Sequence, residues 1–346
     1  MAIIAIDAMG GDHGFHSTVP GALDALKKYS DLKLILVGNA SLIRKKLQQL
    51  KAEDHPRLEI LNATEVVEMD ESPSSALRHK KDSSMRVAIN LVKEGRANAC
   101  VSSGNTGALM ATSRFVLKTL PGIDRPAIIY GMPGIDPKTG ERALSHMLDL
   151  GANVDCTAEH LFQFALMGSI RTTFVDHIQK PRVALLNIGE EEMKGLDVIK
   201  AVAQRLAACP EINYIGFIEG NDIFWNKADV IVCDGFVGNI SLKTMEGTAK
   251  LISFVVKNAF SRSLFSKFLA ILAYPVLRQI KSKMDPRYYN GASFLGLKGI
   301  VIKSHGGADA LAFSMAISVA LEEIAQDIPG RIHDQVEQIL GLKDEG

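Results

Sequence analysis

The chain has 346 residues, 47% of them hydrophobic, and its 39 lysines and arginines balance its 39 aspartates and glutamates. This balance argues against nucleic acid as a partner, because nucleic-acid-binding proteins carry a basic excess. The four cysteines (Cys100, Cys156, Cys209 and Cys233) are far apart, which argues against disulfides or a zinc site and is typical of a reducing cytosol. The apolar start, interrupted by Asp7, predicts a first strand rather than a signal peptide. No apolar run approaches the ~20 residues that span a bilayer.

Short apolar runs alternate with helical patterns along nearly the whole chain. Strands are predicted over residues 2–6, 33–37, 58–61, 99–102, 127–130, 143–148, 182–186, 214–216, 230–233 and 299–302. Helices are predicted over residues 18–28, 41–51, 85–94, 108–118, 155–167, 196–208, 242–257 and 308–325. This alternation predicts one α/β domain over residues 1–346, with a doubly wound, mainly parallel sheet and helices on both faces. The proline- and glycine-rich stretch 131–140 indicates a hinge or an excursion from this pattern.

Polar, glycine-rich segments follow six of the predicted strands. Open α/β sheets bind ligands beyond the carboxyl ends of their strands, and six such segments are hard to explain as turns alone. We therefore expect them to build one shared site at one edge of the sheet. The six segments are residues 7–13, 102–107, 149–153, 187–195, 234–239 and 304–309.

The segment 102–107 lies between a short apolar strand and a helix-forming run. Its glycines let the backbone approach a ligand, and the N–H groups of a helix N-terminus favour negative charge. The chain lacks the Gly-x-x-x-x-Gly-Lys-Ser/Thr nucleotide loop, and its serines lack the Gly-x-Ser-x-Gly frame of a nucleophile. The segment therefore predicts binding of phosphate or another oxyanion, and the alternative is a plain polar connection. The predicted phosphate contacts are Ser102, Ser103, Gly104, Asn105, Thr106 and Gly107.

Eight motifs in order resemble those of the bacterial acyl-carrier-protein:phosphate acyltransferase family. They are IDAMGGDH, SSGNTGALM, MLDLGANVDC, LLNIGEEEMKG, EGNDI, CDGFVGNISLKTMEG, NGASFLGLKG and SHGGAD. The resemblance implies transfer of a long-chain acyl group from acyl-carrier protein to inorganic phosphate, which gives an acyl phosphate for phospholipid synthesis. It also implies a fold similar to isocitrate and isopropylmalate dehydrogenases and phosphotransacetylases, a homodimer, and a cytoplasmic protein attached peripherally to the inner face of the cell membrane.

Phosphate can attack a thioester directly, because its oxyanion is a nucleophile and a thiolate, with a thiol pKa of ~8.5, leaves readily. Such an enzyme must hold phosphate beside the carbonyl and stabilise the tetrahedral oxyanion. We predict that Lys194, the only cation of its loop, contacts phosphate or the oxyanion; the alternative is a solvated partner for Glu190–Glu192. Asn239 is predicted to donate its amide to the oxyanion, with a helix N-cap as the alternative.

His13 and His305 are predicted to act in acid–base chemistry or to contact phosphate, although loop histidines are often simple hydrogen-bonding residues. Asp7, Asp12 and Asp234 are expected to orient these groups rather than to ligate a metal, with Asp7 and Asp234 at the phosphate site. The chain has no His/Cys cluster at metal-ligand spacing, so neither a resident metal nor another cofactor is expected. Binding of Mg²⁺ together with phosphate is an alternative that the sequence leaves open.

The stretch 257–303 is strongly basic, with nine lysines and arginines against one acidic residue, Asp285. A basic, Phe-rich helical hairpin is predicted over about residues 254–283, interrupted by Pro275. Such a segment can dock the acidic acyl-carrier protein or an anionic membrane, or pack a dimer with its charges at the rim. The family resemblance favours the membrane. The predicted docking residues are Arg262, Leu264, Phe265, Lys267, Phe268 and Leu269.

Three other functions stay open at the level of sequence. A phosphotransacetylase that uses acyl-coenzyme A would need the same thioester chemistry with another carrier. A hydroxy-acid dehydrogenase could share the fold without a Rossmann loop. The third is a membrane-associated protein without catalysis, either a scaffold or an acyl-phosphate-binding protein. The convergent polar loops argue against a scaffold, which would not need a preorganised anion site.

Overall fold

The computed structural model describes residues 1–278 and 285–341. Its strands are β1 (Ala2–Asp7), β2 (Leu32–Gly38), β3 (Leu58–Asn62), β4 (Ala99–Ser102), β5 (Ala127–Ile135), β6 (Arg142–Leu148), β7 (Arg182–Leu186), β8 (Asn213–Ile218), β9 (Val230–Val232), β10 (Ala292–Leu295) and β11 (Ile300–Lys303). Its helices are α1 (Phe15–Lys28), α2 (Ala40–Gln49), α3 (Pro73–His79), α4 (Ser84–Lys93), α5 (Thr106–Leu117), α6 (Ala158–Val175), α7 (Asp197–Ala207), α8 (Gly235–Ser261), α9 (Leu264–Leu272), α10 (Ala310–Ala325) and α11 (Ile328–Leu340). Short 3₁₀ turns lie at Gly220–Asp222 and Pro286–Tyr289.

The strands of the described chain form one 11-stranded sheet in the order β3-β2-β1-β4-β11-β10-β5-β6-β9-β7-β8. Neighbouring strands are parallel except for the pairs β11–β10, β10–β5 and β5–β6. Hydrophobic clusters cover both faces, because successive strand residues point to opposite sides. On β1, for example, Ala5 belongs to one cluster while Ile4 and Ile6 belong to another. The predicted mainly parallel α/β architecture is confirmed.

The sheet reverses direction between β5 and β6. Only six residues, 136–141, join these strands, which is too short for the crossover that a parallel pair needs. Strands β1–β5 and β11 therefore run one way, and β6–β9 run the other. The stretch 131–140 belongs to this hairpin rather than to a hinge.

The prediction of one shared sheet edge for all six glycine-rich loops is therefore wrong. The loops after β1, β4 and β11 lie at one edge of the sheet. The loops after β6, β7 and β9 lie at the opposite edge, because their strands run in the opposite direction. Each set of three loops follows three adjacent strands, so the six segments form two separate clusters.

Helix α8 is 27 residues long, or about 40 Å at the usual rise per residue. It begins seven residues before the predicted start, and α9 follows it after two residues and contacts it, so helices occupy the described part of the predicted hairpin. No helix of the described residues is long and apolar enough to cross a membrane. The remainder of the predicted hairpin, residues 279–283 with Lys281 and Lys283, lies outside the described residues. The exposed apolar residues of α8 and α9 include Leu251, Ile252, Phe254, Val255, Val256, Leu264, Phe265, Phe268, Leu269, Ile271 and Leu272.

Candidate functional site

The first loop cluster lies beyond β1, β4 and β11 and comprises residues 7–13, 102–107 and 303–309; we call it the lysine cluster. Since β4 lies between β1 and β11, the three loops are neighbours. Hydrogen bonds connect each loop to the others, so the three loops form one unit. These bonds run from Ser103 Oγ to the Gly10 carbonyl (2.7 Å), from Asp12 N to the Gly306 carbonyl (2.9 Å) and from Ser304 N to the Ser102 carbonyl (2.8 Å).

Glycine allows these loops to approach closely. Gly11 has a φ of +88°, and a Cβ there would lie 2.7 Å from Ser103 Oγ and 2.9 Å from the Gly306 carbonyl oxygen. A Cβ on Gly10 would lie 2.8 Å from the Gly104 nitrogen. All three distances are shorter than Cβ contacts in folded proteins, so side chains at these two positions would push the loops apart.

Asp7 organises the base of the lysine cluster. Its buried carboxylate accepts hydrogen bonds from Ser84 Oγ (2.6 Å), Ser102 Oγ (2.6 Å) and Gly10 N (3.2 Å). Burial raises the pKa of the Asp7 carboxyl, and the hydrogen bonds from Ser102 and Ser84 oppose that shift. Asp7 therefore has an orienting position, and its partners Ser84 and Gly10 were not among the residues predicted from the sequence.

Part of the predicted phosphate loop, residues 102–107, makes hydrogen bonds within the protein. Asn105 caps α5, and its amide Nδ2 donates to the carbonyls of Met69 (2.8 Å) and Glu71 (2.9 Å). Thr106 and Gly107 are exposed at the start of α5. Asn105 thus holds a neighbouring loop, while Thr106 and Gly107 are the residues of this segment that face solvent.

Lys303 is the buried cation of this cluster. It ends β11, and its Nζ donates to the carbonyl of Ser103 at 3.3 Å and to the carbonyl of Ser304. Burial lowers the pKa of the ammonium from 10.5 to about 8, while Asp12 and Asp7 oppose that shift. From the sequence, Lys303 is only one member of the basic stretch. Its position immediately before Ser-His-Gly-Gly is the signal that could have identified it.

The two predicted histidines differ in their surroundings. The Nδ1 atom of His305 accepts a hydrogen bond from Gly307 N (3.1 Å), and its Nε2 lies 3.9 Å from Glu246 Oε1. Burial lowers the pKa of His305. His13 is exposed, and within the described chain no side-chain hydrogen bond ties it to the cluster. The acid–base role of His13 stays a prediction.

The second loop cluster lies beyond β6, β9 and β7 and comprises residues 149–153, 187–195 and 234–239; we call it the asparagine cluster. At its base the buried carboxylate of Asp149 accepts hydrogen bonds from Ile128 N (2.8 Å), Asn153 N (2.6 Å), Asn153 Nδ2 (3.0 Å) and Ala152 N (3.3 Å). Burial raises the pKa of this carboxyl. A Cβ on Gly238 would clash with the Asp149 carbonyl oxygen, so α8 packs directly on this loop.

Asn239 is not the N-cap of α8, so that alternative is wrong. Asp234 has the capping role, since its Oδ1 accepts a hydrogen bond from Val237 N at 2.8 Å. Asn239 lies one turn further along, is exposed, and has its Cβ 3.5 Å from the position a Cβ would take on Gly151. Its amide therefore faces solvent beside the loop that follows β6.

Lys194 is exposed in the loop after β7. Its Nζ lies 2.8 Å from Glu191 Oε2, and this contact raises the pKa of Lys194. This is the arrangement expected if Lys194 is a solvated partner for the loop glutamates. Asn187 Nδ2 donates to the carbonyls of Gly189 (3.2 Å) and Lys194 (3.2 Å), which fixes the base of the loop. Asn187 was not predicted.

Helix α8 connects the two clusters. Asn239, Lys243 and Glu246 are spaced at i, i+4 and i+7, so they share one face of the helix. Asn239 lies at the asparagine cluster, and Glu246, about 10 Å further along the axis, faces His305 of the lysine cluster. Among the described residues, no three His, Cys, Asp or Glu side chains are grouped as a metal site would need.

The fold is shared with acyl-transferring enzymes of known structure. A phosphotransacetylase from Streptococcus pyogenes superimposes with a TM-score of 0.61, covering 94% of this chain and 94% of that chain at 18% identity. At that identity the likeness establishes the fold alone, which is that of a phosphotransacetylase.

Sequence comparison identifies the family. The family model described as fatty acid synthesis protein matches residues 2–331. A phosphate acyltransferase from Alkalilimnicola ehrlichii is 55% identical over 341 residues, which are 99% of this chain and 98% of that protein. One from Halorhodospira halophila is 53% identical with the same coverage. The chain belongs to the phosphate acyltransferase family, and it is an acyltransferase.

Proposed function

We propose that this enzyme transfers a long-chain fatty acyl group from acyl-carrier protein to inorganic phosphate, and that the acyl phosphate supplies phospholipid synthesis. The relatives named phosphate acyltransferase support phosphate as the acceptor. The two loop clusters, joined by the polar face of α8, support separate positions for the acceptor and the donor. No cofactor has a part in this reaction.

Phosphate is placed in the lysine cluster, and the observation that carries this placement is the buried ammonium of Lys303. Its hydrogen-bond partners are the carbonyls of Ser103 and Ser304, so its charge is desolvated without a hydrogen-bonded carboxylate. A bound anion would offset that cost. Helix α1 also begins at this cluster without a side-chain cap, which leaves its positive end available to phosphate.

The hydroxyl groups near Lys303 favour direct attack by phosphate over a serine nucleophile. Ser84 and Ser102 donate to the Asp7 carboxylate, and Ser103 donates to the Gly10 carbonyl, so none of them has a histidine base as its partner. A phosphate oxygen attacks the thioester carbon, the new C–O bond forms, and the C–S bond breaks. The thiolate leaves with the sulfur electrons and then takes a proton.

The asparagine cluster is assigned to the acyl donor. Asn239 faces solvent at the start of the α8 face that leads to His305, and the exposed ion pair of Lys194 is weak enough to be displaced. We place the flexible thiol arm of the carrier along this face, with Asn239 and Lys194 as its polar contacts. The same arrangement could serve coenzyme A, which has a similar arm.

The α8–α9 hairpin is proposed to attach the cytoplasmic enzyme to the anionic membrane surface. Residues 247–278 include five basic residues and no acidic residue, together with exposed apolar side chains. Phe265→Asp with Phe268→Asp should abolish sedimentation with phosphatidylglycerol vesicles and spare turnover of soluble substrate. Phe115→Asp, at an exposed phenylalanine outside the hairpin, is the control. Vesicle binding that survives the double substitution would contradict this assignment.

We also propose that the enzyme is a homodimer, and light scattering would test this by measuring its mass in solution.

The reaction itself is tested with purified protein, palmitoyl-acyl-carrier protein and labelled phosphate. We expect a hydroxylamine-sensitive acyl phosphate that requires both substrates. A parallel incubation replaces the donor with palmitoyl-coenzyme A. Product from coenzyme A alone would instead support a phosphotransacetylase, and no product from either donor would contradict the proposed function.

A further inference from the structure

His305 is held by one hydrogen bond to its ring and one from its backbone. Its Nδ1 accepts a hydrogen bond from Gly307 N at 3.1 Å, and its backbone nitrogen donates to Asn290 Oδ1 at 2.9 Å. Because Nδ1 is an acceptor, the neutral ring carries its proton on Nε2. That atom lies 3.9 Å from Glu246 Oε1 on α8, which is within the range of an ion pair but too far for a hydrogen bond. The His305 side chain is nevertheless 61% exposed, so a ligand can reach it.

Glu246 is itself held in place. Its second oxygen, Oε2, lies 2.8 Å from Lys243 Nζ one turn earlier on α8, and its side chain is only 25% exposed. Burial raises the pKa of Tyr130 to about 12, and the charges of Glu246 and Tyr289 contribute to that shift. Glu246 thus lies close enough to Tyr130 of β5 for its charge to act there as well as on His305.

We propose that Glu246 is a positioning residue for His305: the charge of its carboxylate, beyond hydrogen-bond distance, keeps the ring turned with Nδ1 on Gly307 N, so that Nε2–H stays available to donate to phosphate in the lysine cluster. Lys243 balances the charge of Glu246 and so limits its effect on the ring. This inference rests on the proposed function, which places phosphate beside Lys303. Neither Glu246 nor Lys243 touches phosphate in this arrangement.

The charges around His305 predict the direction in which its pKa should shift in each variant. Glu246 and Lys243 face the ring from α8, Lys303 from β11, and Asp12 from the loop after β1. Burial and the two lysines lower the pKa of His305, whereas Glu246 and Asp12 raise it. Removing the carboxylate of Glu246 should therefore lower that pKa further, and removing the ammonium of Lys243 should raise it. A purely structural disturbance would not produce opposite shifts.

The direct test is an NMR titration of the His305 Cε1–H signal in the full-length protein, assigned with His305→Asn. We expect Glu246→Gln to lower the pKa of His305 and Lys243→Met to raise it, each by about 0.5 pH unit. Lys200→Met, which breaks a matched i,i+3 ion pair with Asp197 on α7, should leave it unchanged. Shifts of the same sign, or no shift in either variant, would overturn the proposal. If Glu246→Gln fails to fold, the upward shift in Lys243→Met decides the test.

Kinetics separate this inference from the proposed function. Dividing each variant's rate by the parent rate at every pH cancels the titration of phosphate itself. At acid pH that ratio should rise for Glu246→Gln, because the pKa of His305 falls, and it should drop for Lys243→Met, because that pKa rises. The kcat should also fall about tenfold in Glu246→Gln. A normal kcat and ratios that do not change with pH in an active enzyme would contradict the positioning role. An inactive parent with opposite NMR shifts would contradict the function and leave the Glu246–His305 coupling intact.

Discussion

The lysine and asparagine clusters are both built around a buried aspartate, but the groups that surround this aspartate differ. Each has a buried aspartate at the end of a strand: Asp7 is the last residue of β1, and Asp149 directly follows β6. Asp7 is held mainly by serine hydroxyls beside a buried lysine, whereas Asp149 is held by backbone and asparagine amides. The asparagine cluster also has an apolar rim of exposed side chains: Val154, Ile188, Met193, Leu196 and Phe236.

From this comparison we infer that the buried aspartates are scaffolding in both clusters, and we propose that the groups around them determine which ligand binds. A desolvated cation among glycine loops suits a small anion. Exposed amide, ammonium and apolar groups suit a larger, amphiphilic substrate. Four predictions test this division.

Lys303→Met should have the largest effect on catalysis. Loss of the buried ammonium removes a preorganised charge from the phosphate position, so kcat/KM for phosphate should fall by about 10²–10³-fold. Steady-state assays with saturating acyl donor measure this change. Lys298→Met, which removes an exposed lysine just before β11, is the matched control. A loss below threefold in Lys303→Met would place phosphate elsewhere.

Asp149→Ala should destabilise the protein strongly, because the four N–H groups that donate to the buried Asp149 carboxylate would lose their acceptor. We expect the free energy of unfolding to fall by about 3 kcal/mol, measured by urea denaturation. Asp234→Ala removes only the N-cap of α8 and should cost about 1 kcal/mol. Equal costs in the two variants would argue against Asp149 as scaffolding.

Lys194→Met and Asn239→Ala should affect the donor rather than phosphate. The loss of one exposed polar contact should raise KM for acyl-carrier protein by about tenfold. The KM for phosphate should stay within about twofold of the parent value, because these residues lie at the opposite sheet edge. If the KM for phosphate rises instead, the two clusters do not divide the substrates.

The smallest expected effect is a decline of activity at alkaline pH, which we call the alkaline limb. The Lys303 ammonium is present below its pKa of about 8 and is lost as the pH rises through that value. We therefore expect kcat/KM for phosphate to decline above about pH 8 in the parent enzyme. The residual activity of Lys303→Met should not show this decline above pH 8. An unchanged limb in that variant would assign it to another group.

Much of the fold follows from the sequence, because apolar periodicity is strong in buried strands. The bounds of β4 and β7 are as predicted, and most helices begin and end within three residues of expectation. Helices α3 and α11 and strand β10 were missed. Strand β10 has only four residues within NGASFLGLKG, which is too short for a periodic signal.

The error over the sheet edge has a specific cause. Strand β5 was predicted to end at residue 130, because Gly131, Pro133 and Gly134 normally weaken strands. In the structure it continues to Ile135. Pro133 is tolerated because this end of β5 pairs only with β6 and lies beyond the residues that pair with β10. The true link of six residues would have predicted the hairpin, and with it the two clusters.

The two strands that close the centre of the sheet come last in the chain. Strands β10 and β11 fill the gap between β4 and β5, yet they lie after Ala292. A growing chain that ends before Ala292 consists of two half-sheets, each with an unpaired edge strand. We therefore expect those edges to be open to wrong pairing until β10 and β11 have been synthesised.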